Sequence, residues 1–312
     1  MNSITSRIDA VTLIDPEHLG TEIPVPRSVK IELTGRCNFS CSFCARSQKL
    51  REVQDIDKDF FFRVLREMRD AGVEEIGLFY LGESFMVPWL PEAIKYAKDI
   101  GFPYIFLTTN GSLATGTKVQ DCMANGLDSL KFSYNYADGD QLKSIAKVKT
   151  SYFDKIVENM KTARQIRDAY DYKCGLYASY IEYDGAQNER MKEAVKEIEP
   201  YMDEVYALPL YNQATLVQGQ TEGWSYTAGN RGRLKALREP IPCWSVFTEG
   251  HITWDGKLSA CCFDHNDHFT MADLTKTSFV DGWNSEEFKT LRQAHLNKDI
   301  KGTACESCVA YA

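Results

Sequence analysis

The chain has no apolar run near the ~18 residues that a membrane-spanning helix needs, so no segment is expected to cross a bilayer as a helix. It also has no basic blocks. Its 36 Lys and Arg stand against 44 Asp and Glu, a formal net charge of −8. Without a Lys/Arg-rich face it is a poor match for nucleic-acid backbones or anionic membranes, and neither is expected as a partner. The opening residues, MNSITSRIDAVTLIDPEHLG, carry neither a signal peptide's apolar centre nor an Arg-rich transit pattern. A cytoplasmic location is therefore expected. Low-complexity tracts are missing, as are internal repeats beyond an alternation of strands and helices.

What the chain does have is cysteine. Ten cysteines in 312 residues, in a compartment that keeps thiols reduced, are poor candidates for disulfides. Cys37, Cys41 and Cys44 lie near one end of the chain; Cys243, Cys261, Cys262, Cys305 and Cys308 lie near the other. Cys122, in an outer helix, and Cys174, at the edge of a strand, stand apart and read as packing residues. An apolar content of 44% allows one large domain or two unequal ones.

Between about residues 28 and 210 short apolar runs alternate with amphipathic stretches. Val29, Ile31 and Leu33 alternate with Lys30 and Glu32, a strand pattern. Phe61, Val64, Leu65 and Met68 then recur at helical spacing, with Asp57 as N-cap and Gly72 as stop. The unit repeats with strands at Ile76 to Leu81, Tyr104 to Leu107, Leu130 to Tyr134, Leu176 to Ile181 and Val205 to Leu210. Helices open at Pro91, end near Gly126, and run over 152–168 and 191–198. Six parallel βα units suit a partial (β/α)6 barrel, whose functional groups collect at the C-terminal ends of the strands. Residues 212–241 read as a polar connecting segment. Beyond it, Val246 to Ala260 forms two alternating runs around Asp255-Gly256, whose chemistry suits a type I′ hairpin turn. Asn284 and Glu287 form a capping-box pattern before a helix from Phe288 to His295.

Cys37-x3-Cys41-x2-Cys44 directly follows the first strand. Three thiolates on one loop can hold three irons of a four-iron cluster and leave the fourth open to substrate. Structural zinc wants four protein ligands, and no fourth Cys or His lies nearby. The motif C-x3-C-x-Φ-C, with Phe43 as Φ, resembles the radical S-adenosylmethionine superfamily. That resemblance implies a [4Fe-4S] cluster on Cys37, Cys41 and Cys44 whose open iron binds S-adenosyl-L-methionine. It also implies cleavage of that cofactor to a 5′-deoxyadenosyl radical, with Phe43 against the adenine. Leu81-Gly82-Glu83 resembles the family's GGE motif, with Leu81 in place of the first glycine; Gly82 and Glu83 would orient the methionine amino group. Thr108-Thr109-Asn110-Gly111 resembles the family's TNG segment, making Asn110 a cofactor residue, and Ser133 sits where a ribose contact is common. The fifth-strand pattern is matched only loosely by Tyr177 to Ile181.

In the second group, Cys243 and Cys261 flank the hairpin and Cys305-x2-Cys308 follows later. Four thiolates so placed suit zinc or an iron–sulfur cluster equally. The arrangement, with Trp283 to Arg292 as its helix, resembles the twitch domain, a shortened SPASM extension. It implies an auxiliary [4Fe-4S] cluster on Cys243, Cys261, Cys305 and Cys308. Cys262 is left as a packing residue, an alternative ligand or a hydrogen-atom donor, the one candidate catalytic residue. The expected fold is thus α/β: a partial (β/α)6 barrel with a small C-terminal β-hairpin/helix iron–sulfur domain. Its parts would be an N-terminal extension (1–27), the barrel (28–211), the connecting segment (212–241) and the auxiliary-cluster domain (242–312).

The layout resembles the sugar-alcohol dehydrogenases of aminoglycoside biosynthesis. That implies oxidation of a sugar- or aminocyclitol-like alcohol, a small-molecule substrate, and an external electron donor such as flavodoxin or ferredoxin. Alternatives are a radical epimerase, with Cys262 as donor, or modification of a ribosomal precursor peptide. The peptide reading is disfavoured by the 36 residues before Cys37, too few for the usual recognition domain. Asp264, His265, Glu249, Tyr180, Tyr211 and Asn135 are candidate bases. The residues alone name neither the substrate nor the oligomeric state.

Overall fold

The computed structural model describes residues 3–214, 216–217, 225–226 and 241–308. Most of the expected connecting segment, 212–241, lies outside the described residues. Six strands, β1 (Ser28–Ile31), β2 (Glu75–Gly77), β3 (Tyr104–Thr109), β4 (Ser129–Ser133), β5 (Gly175–Glu182) and β6 (Glu204–Pro209), pair in parallel in chain order. Between them run α2 (Lys58–Asp70), α3 (Leu90–Asp99), α4 (Gly116–Ala124), α5 (Gly139–Ala146), α6 (Tyr152–Ala169) and α7 (Ala186–Ile198). The helical periodicity is borne out in α2, which buries Phe61, Val64, Leu65 and Met68 and is capped by the Asp57 side chain. Each such side chain contributes roughly 2 kcal/mol by leaving water.

Strand alternation has an unusual reading here. In β3, Ile105, Leu107 and Thr109 are buried under helices, whereas Tyr104, Phe106 and Thr108 face an internal cavity and remain half-buried. In β4 the same alternation sends Leu130 and Phe132 outward and Ser129, Lys131 and Ser133 inward. The barrel is partial and its axis is not filled by side chains.

The C-terminal region joins the same sheet. Strand β7 (Glu249–Ile252) pairs in parallel with β1 as a seventh barrel strand, and β8 (Lys257–Ser259) and β9 (Thr270–Asp273) follow antiparallel. The hairpin between β7 and β8 forms where expected, but its turn is not type I′. Only Gly256 has positive φ (82°), and its N–H donates to the Thr253 carbonyl at 2.9 Å. That is a turn over Trp254 and Asp255 followed by a left-handed glycine; the Thr253 hydroxyl donates to Asp255 and helps keep the aspartate at negative φ. Two helices complete the region, α8 (Phe279–Trp283) and α9 (Glu286–Leu296). The cap of α9 is Ser285, whose hydroxyl accepts from the Phe288 N–H. The expected cap, Asn284, is drawn away to the Ile23 N–H and C=O, both at 3.1 Å.

The first 27 residues are tied to both parts. Helix α1 (Ile4–Thr12) closes the barrel's N-terminal mouth: Arg7 pairs with Glu75 at 2.6 Å and lies 3.4 Å over the Tyr104 ring. Further on, Pro24 accepts from the Trp283 indole at 2.9 Å. Among the described residues no helix is long and apolar enough to cross a membrane.

Candidate active site

The loop after β1 presents Cys37, Cys41 and Cys44, all free and half-buried. Its path is fixed from outside and within. Ser40 and Ser42 N–H groups donate to the carbonyls of Ala146 and Ile145 at the end of α5, each at 3.0 Å. The Arg46 guanidinium donates to Gly35 (2.9 Å), Cys37 (3.2 Å) and Phe39 (3.4 Å) carbonyls, a fork that Lys could not reproduce. Backbone N–H groups of Phe39 and Arg46 point at the Cys37 and Cys44 sulfurs, and the Tyr136 hydroxyl lies 2.9 Å from Cys41 Sγ.

Burial pushes the Cys37 thiol up to about 11, with the Glu83 carboxylate adding to it, and pushes Cys41 and Cys44 up too. The protein alone therefore holds thiols here. N–H donors aimed at sulfur and a nearby guanidinium suit thiolates, which a bound metal centre creates. That donor set fits an iron–sulfur cluster. No group of three or more His, Cys, Asp or Glu side chains among the described residues is arranged to hold a single metal ion; the ligand set rests on loop position and donor chemistry.

The cofactor candidates surround this loop. A Cβ on Gly82 would lie 1.9 Å from the Thr34 carbonyl oxygen, so only glycine lets the segment after β2 lie against the segment after β1. Leu81 in place of the family glycine leaves that contact intact. Glu83 is buried, and its carboxylate accepts from the Thr109 hydroxyl and Asn110 N–H, both at 2.8 Å. Burial raises its pKa against those donors. The Asn110 amide donates to Asn38 at 3.0 Å and lies 3.9 Å from Cys37 Sγ. Phe43, stacked on Tyr136 with centroids 6.5 Å apart, and Ser133 line the barrel cavity.

That cavity has a volume of about 400 Å³. Its floor is α1; Thr108, Ser133 and Asn135 line its C-terminal rim, and Tyr211, Cys262 and Phe263 line the edge toward the C-terminal region. Of the candidate bases, Asn135, Tyr211 and Glu249 line it. Tyr180 does not, because Ser179 and Ile181 take the inward positions of β5. Asp264 is held by the Ser259 hydroxyl at 2.8 Å away from the cavity. His265 lines a separate cleft with Arg51, where burial and the Arg51 and Arg46 charges push it down to about 3. Glu249 is a weak base: burial is outweighed by Lys30 (2.7 Å) and His251 (3.0 Å), which hold it down to about 2.

The second cysteine group is assembled from three segments. Cys243 donates its N–H to His295 Nδ1 at 3.3 Å, Cys261 Sγ accepts the Phe263 N–H at 3.4 Å, and the Cys308 N–H donates to the Cys305 carbonyl at 3.0 Å. Cys243 is an electrostatic neighbour of both Cys261 and Cys305, and Cys305 of Cys308. These pairwise contacts make the four cysteines neighbours, though among the described residues they form no closed metal-binding group. Cys262, whose side chain is hydrogen-bonded to that of Cys261, also lines the barrel cavity.

Residues 31–171 match the family model of the radical SAM superfamily, and residues 243–309 match that of SPASM, an iron-sulfur cluster-binding domain. The chain belongs to the radical S-adenosylmethionine superfamily. It carries a SPASM-type C-terminal domain, and membership implies S-adenosylmethionine, the [4Fe-4S] cluster that binds it, and auxiliary iron–sulfur chemistry. A probable GTP 3′,8-cyclase of Methanothermobacter marburgensis is 34% identical over 108 residues, 35% of each chain. A PqqA peptide cyclase of Streptomyces rochei is 29% identical over 125 residues, 40% of this chain and 34% of that one. The matched stretches span about a third of those relatives. Among solved structures, BtrN in complex with AdoMet and 2-DOIA is 16% identical, with TM-score 0.59 over 91% of this chain and 93% of that one. Streptococcus suis SuiB bound to precursor peptide SuiA is 14% identical, with TM-score 0.69 over 98% and 74%. At such identities these structures share the fold.

Several residues of the site carry no motif. Arg46, Tyr136 and Tyr80 act by position: the Tyr80 hydroxyl donates to the Cys261 carbonyl and accepts the Asp264 N–H at 3.2 Å, and its side chain also lines the cavity. Lys131 had one available signal, its inward register with Ser129 and Ser133.

Proposed function

We propose that this radical S-adenosylmethionine enzyme oxidises a sugar- or aminocyclitol-like alcohol in the barrel cavity, removing two hydrogens from a CH–OH group in a biosynthetic reaction. The observation that carries this reading is the pair Cys261-Cys262: one sulfur belongs to the second cysteine group and its neighbour lines the cavity, so substrate and auxiliary centre are one residue apart. When bound, the first cluster with S-adenosylmethionine supplies a 5′-deoxyadenosyl radical and the second cluster supplies a one-electron acceptor. Cys37, Cys41 and Cys44 would hold the first and Cys243, Cys261, Cys305 and Cys308 the second. Gly82, Glu83, Asn110, Ser133 and Phe43 would position S-adenosylmethionine, Phe43 as an apolar wall and Ser133 as a hydroxyl donor.

Helix α1 keeps water from the floor, which protects a radical from quenching. A cavity of about 400 Å³ is in the small-molecule range, and this favours a small substrate over a peptide. An external donor such as flavodoxin or ferredoxin supplies the first electron. Reducing cytoplasm suits such a set of free thiols. The BtrN structure, which holds 2-DOIA, supports the reading through its matching length. The cyclase relatives match over too little of the chain to favour ring formation.

A second reading, epimerisation, is favoured by Cys262 alone. Its S–H could return a hydrogen atom to the opposite face of a substrate radical, leaving a thiyl that needs one electron and one proton. Turnover in deuterated water separates the two. Oxidation gives a carbonyl product without new deuterium at carbon. Epimerisation gives carbon-bound deuterium, which Cys262→Ala should abolish; an epimer still formed by that variant excludes the thiol.

A further inference from the structure

The lower half of the barrel cavity carries a charge that no part of the reaction uses. Lys131 projects from the middle of β4 into the cavity. Among the described residues it has neither a hydrogen bond nor an ion pair; its ammonium lies 5.9 Å from the Tyr206 ring centroid. Every other ion facing it is matched. Lys30 on β1 is held by Glu249 on β7 at 2.7 Å, and Arg7 on α1 by Glu75 on β2 at 2.6 Å. Strands β3, β5 and β6 contribute the phenols of Tyr104, Tyr177 and Tyr206, and β6 also the Glu204 carboxylate, which accepts from the Ser3 and Thr5 hydroxyls. Each of these carboxylates is bonded to another group, and Lys131, in the lower half of a substrate-sized cavity, is bonded to none of them.

The geometry points to a substrate that bears an anionic group, a carboxylate or a phosphate, which binds Lys131 at the floor while the reacting carbon stays at the rim. An unmatched ammonium in a low-dielectric cavity is costly by itself, and a charge-assisted bond to a substrate oxyanion would offset that cost where specificity is needed. Ser133 stands two residues along the same strand, about 7 Å away, so one small molecule can span both. Burial, with Lys30 adding, pushes Lys131 down to about 8, which gives the bound state a signature: an anion should raise that pKa and draw in a proton. The inference rests on reading this cavity as the substrate site and narrows the alcohol to an acidic sugar derivative.

Calorimetry on the full reconstituted chain at pH 8 tests it, with glucuronate, glucose 6-phosphate, glucose and glucosamine as probes. We expect at least one anionic probe to bind about tenfold or more tighter than glucose, with proton uptake seen as a buffer-dependent heat. Which anion binds separates carboxylate from phosphate. Lys131→Met should erase both the preference and the proton uptake without lowering the thermal midpoint, since it removes an unpaired buried charge. Equal binding of charged and neutral probes, no binding of either anion, or a preference that survives in Lys131→Met would overturn the inference. Because binding needs no turnover, the oxidation proposed above can fail independently, in product analysis.

Discussion

Each cysteine group has beside it an arginine that donates to main-chain carbonyls, half-buried Arg46 at the first and buried Arg292 at the second, but the reach of that arginine differs. Arg46 closes carbonyls at Gly35, Cys37 and Phe39, all within eleven residues of itself. Arg292 joins Val246 (3.1 Å), Trp283 (2.8 Å) and Thr21 (3.0 Å), the last 271 residues away, and lies about 4.5 Å from the Trp283 and Phe288 rings. Its pKa is lowered by burial to about 9, and among the described residues it has no acidic partner. The three cysteines of the first group therefore share one loop with its own arginine, pinned from outside at the end of α5. The second exists only once the N-terminal segment, the hairpin and α9 have packed.

The largest expected contrast lies between two glycines. Gly82→Ala would drive a Cβ to 1.9 Å from the Thr34 carbonyl oxygen, and the two segments of the first site must separate. We expect a loss of about 3 kcal/mol or more, or no folded protein. Gly256→Ala, in the hairpin of the second region, meets only side-chain atoms, the Thr275 methyl at 2.8 Å and the Phe60 ring at 3.1 Å, at a φ of 82°, for a cost of about 1–2 kcal/mol. Thermal unfolding of both reads the difference, and equal losses would break the contrast.

The arginines give the next effect. Arg292→Met leaves three buried carbonyls without that donor and should cost about 3 kcal/mol at roughly 1 kcal/mol each. Arg46→Met should cost less stability but lower the iron bound by the first group. Iron content and unfolding midpoints, measured together, would show the reverse pattern if the local and distributed roles were misassigned. The smallest effect is expected at Cys122 and Cys174, both buried outside either group. Alanine at each should cost about 1 kcal/mol and leave the iron content unchanged.

This contrast also explains what could be read from the chain. The three-cysteine loop was legible because all its ligands lie within eight residues, and the βα alternation because helical and strand periods are local. Helix α1 was not expected: Ile4, Ile8 and Val11 make a weak stripe whose value appears only against the barrel floor. Nothing local marks β7 as a seventh parallel strand, since its pairing with β1 joins residues over 200 positions apart. Lys131 and Lys30 sit on strands where a charge ordinarily signals solvent. Alternation says which residues share a face but not that the face encloses a cavity. The Asp255-Gly256 pair marked the hairpin correctly and misled on the turn, because the same dipeptide serves both geometries.

The most direct measurement compares anaerobically reconstituted protein with a variant bearing alanine at Cys37, Cys41 and Cys44, scored for iron and for 5′-deoxyadenosine after reduction with S-adenosylmethionine. We expect about eight irons in the parent and about four in the variant, with the nucleoside formed only by the parent. Zinc in place of iron, or 5′-deoxyadenosine still made by the variant, would contradict an open-iron centre on the first loop.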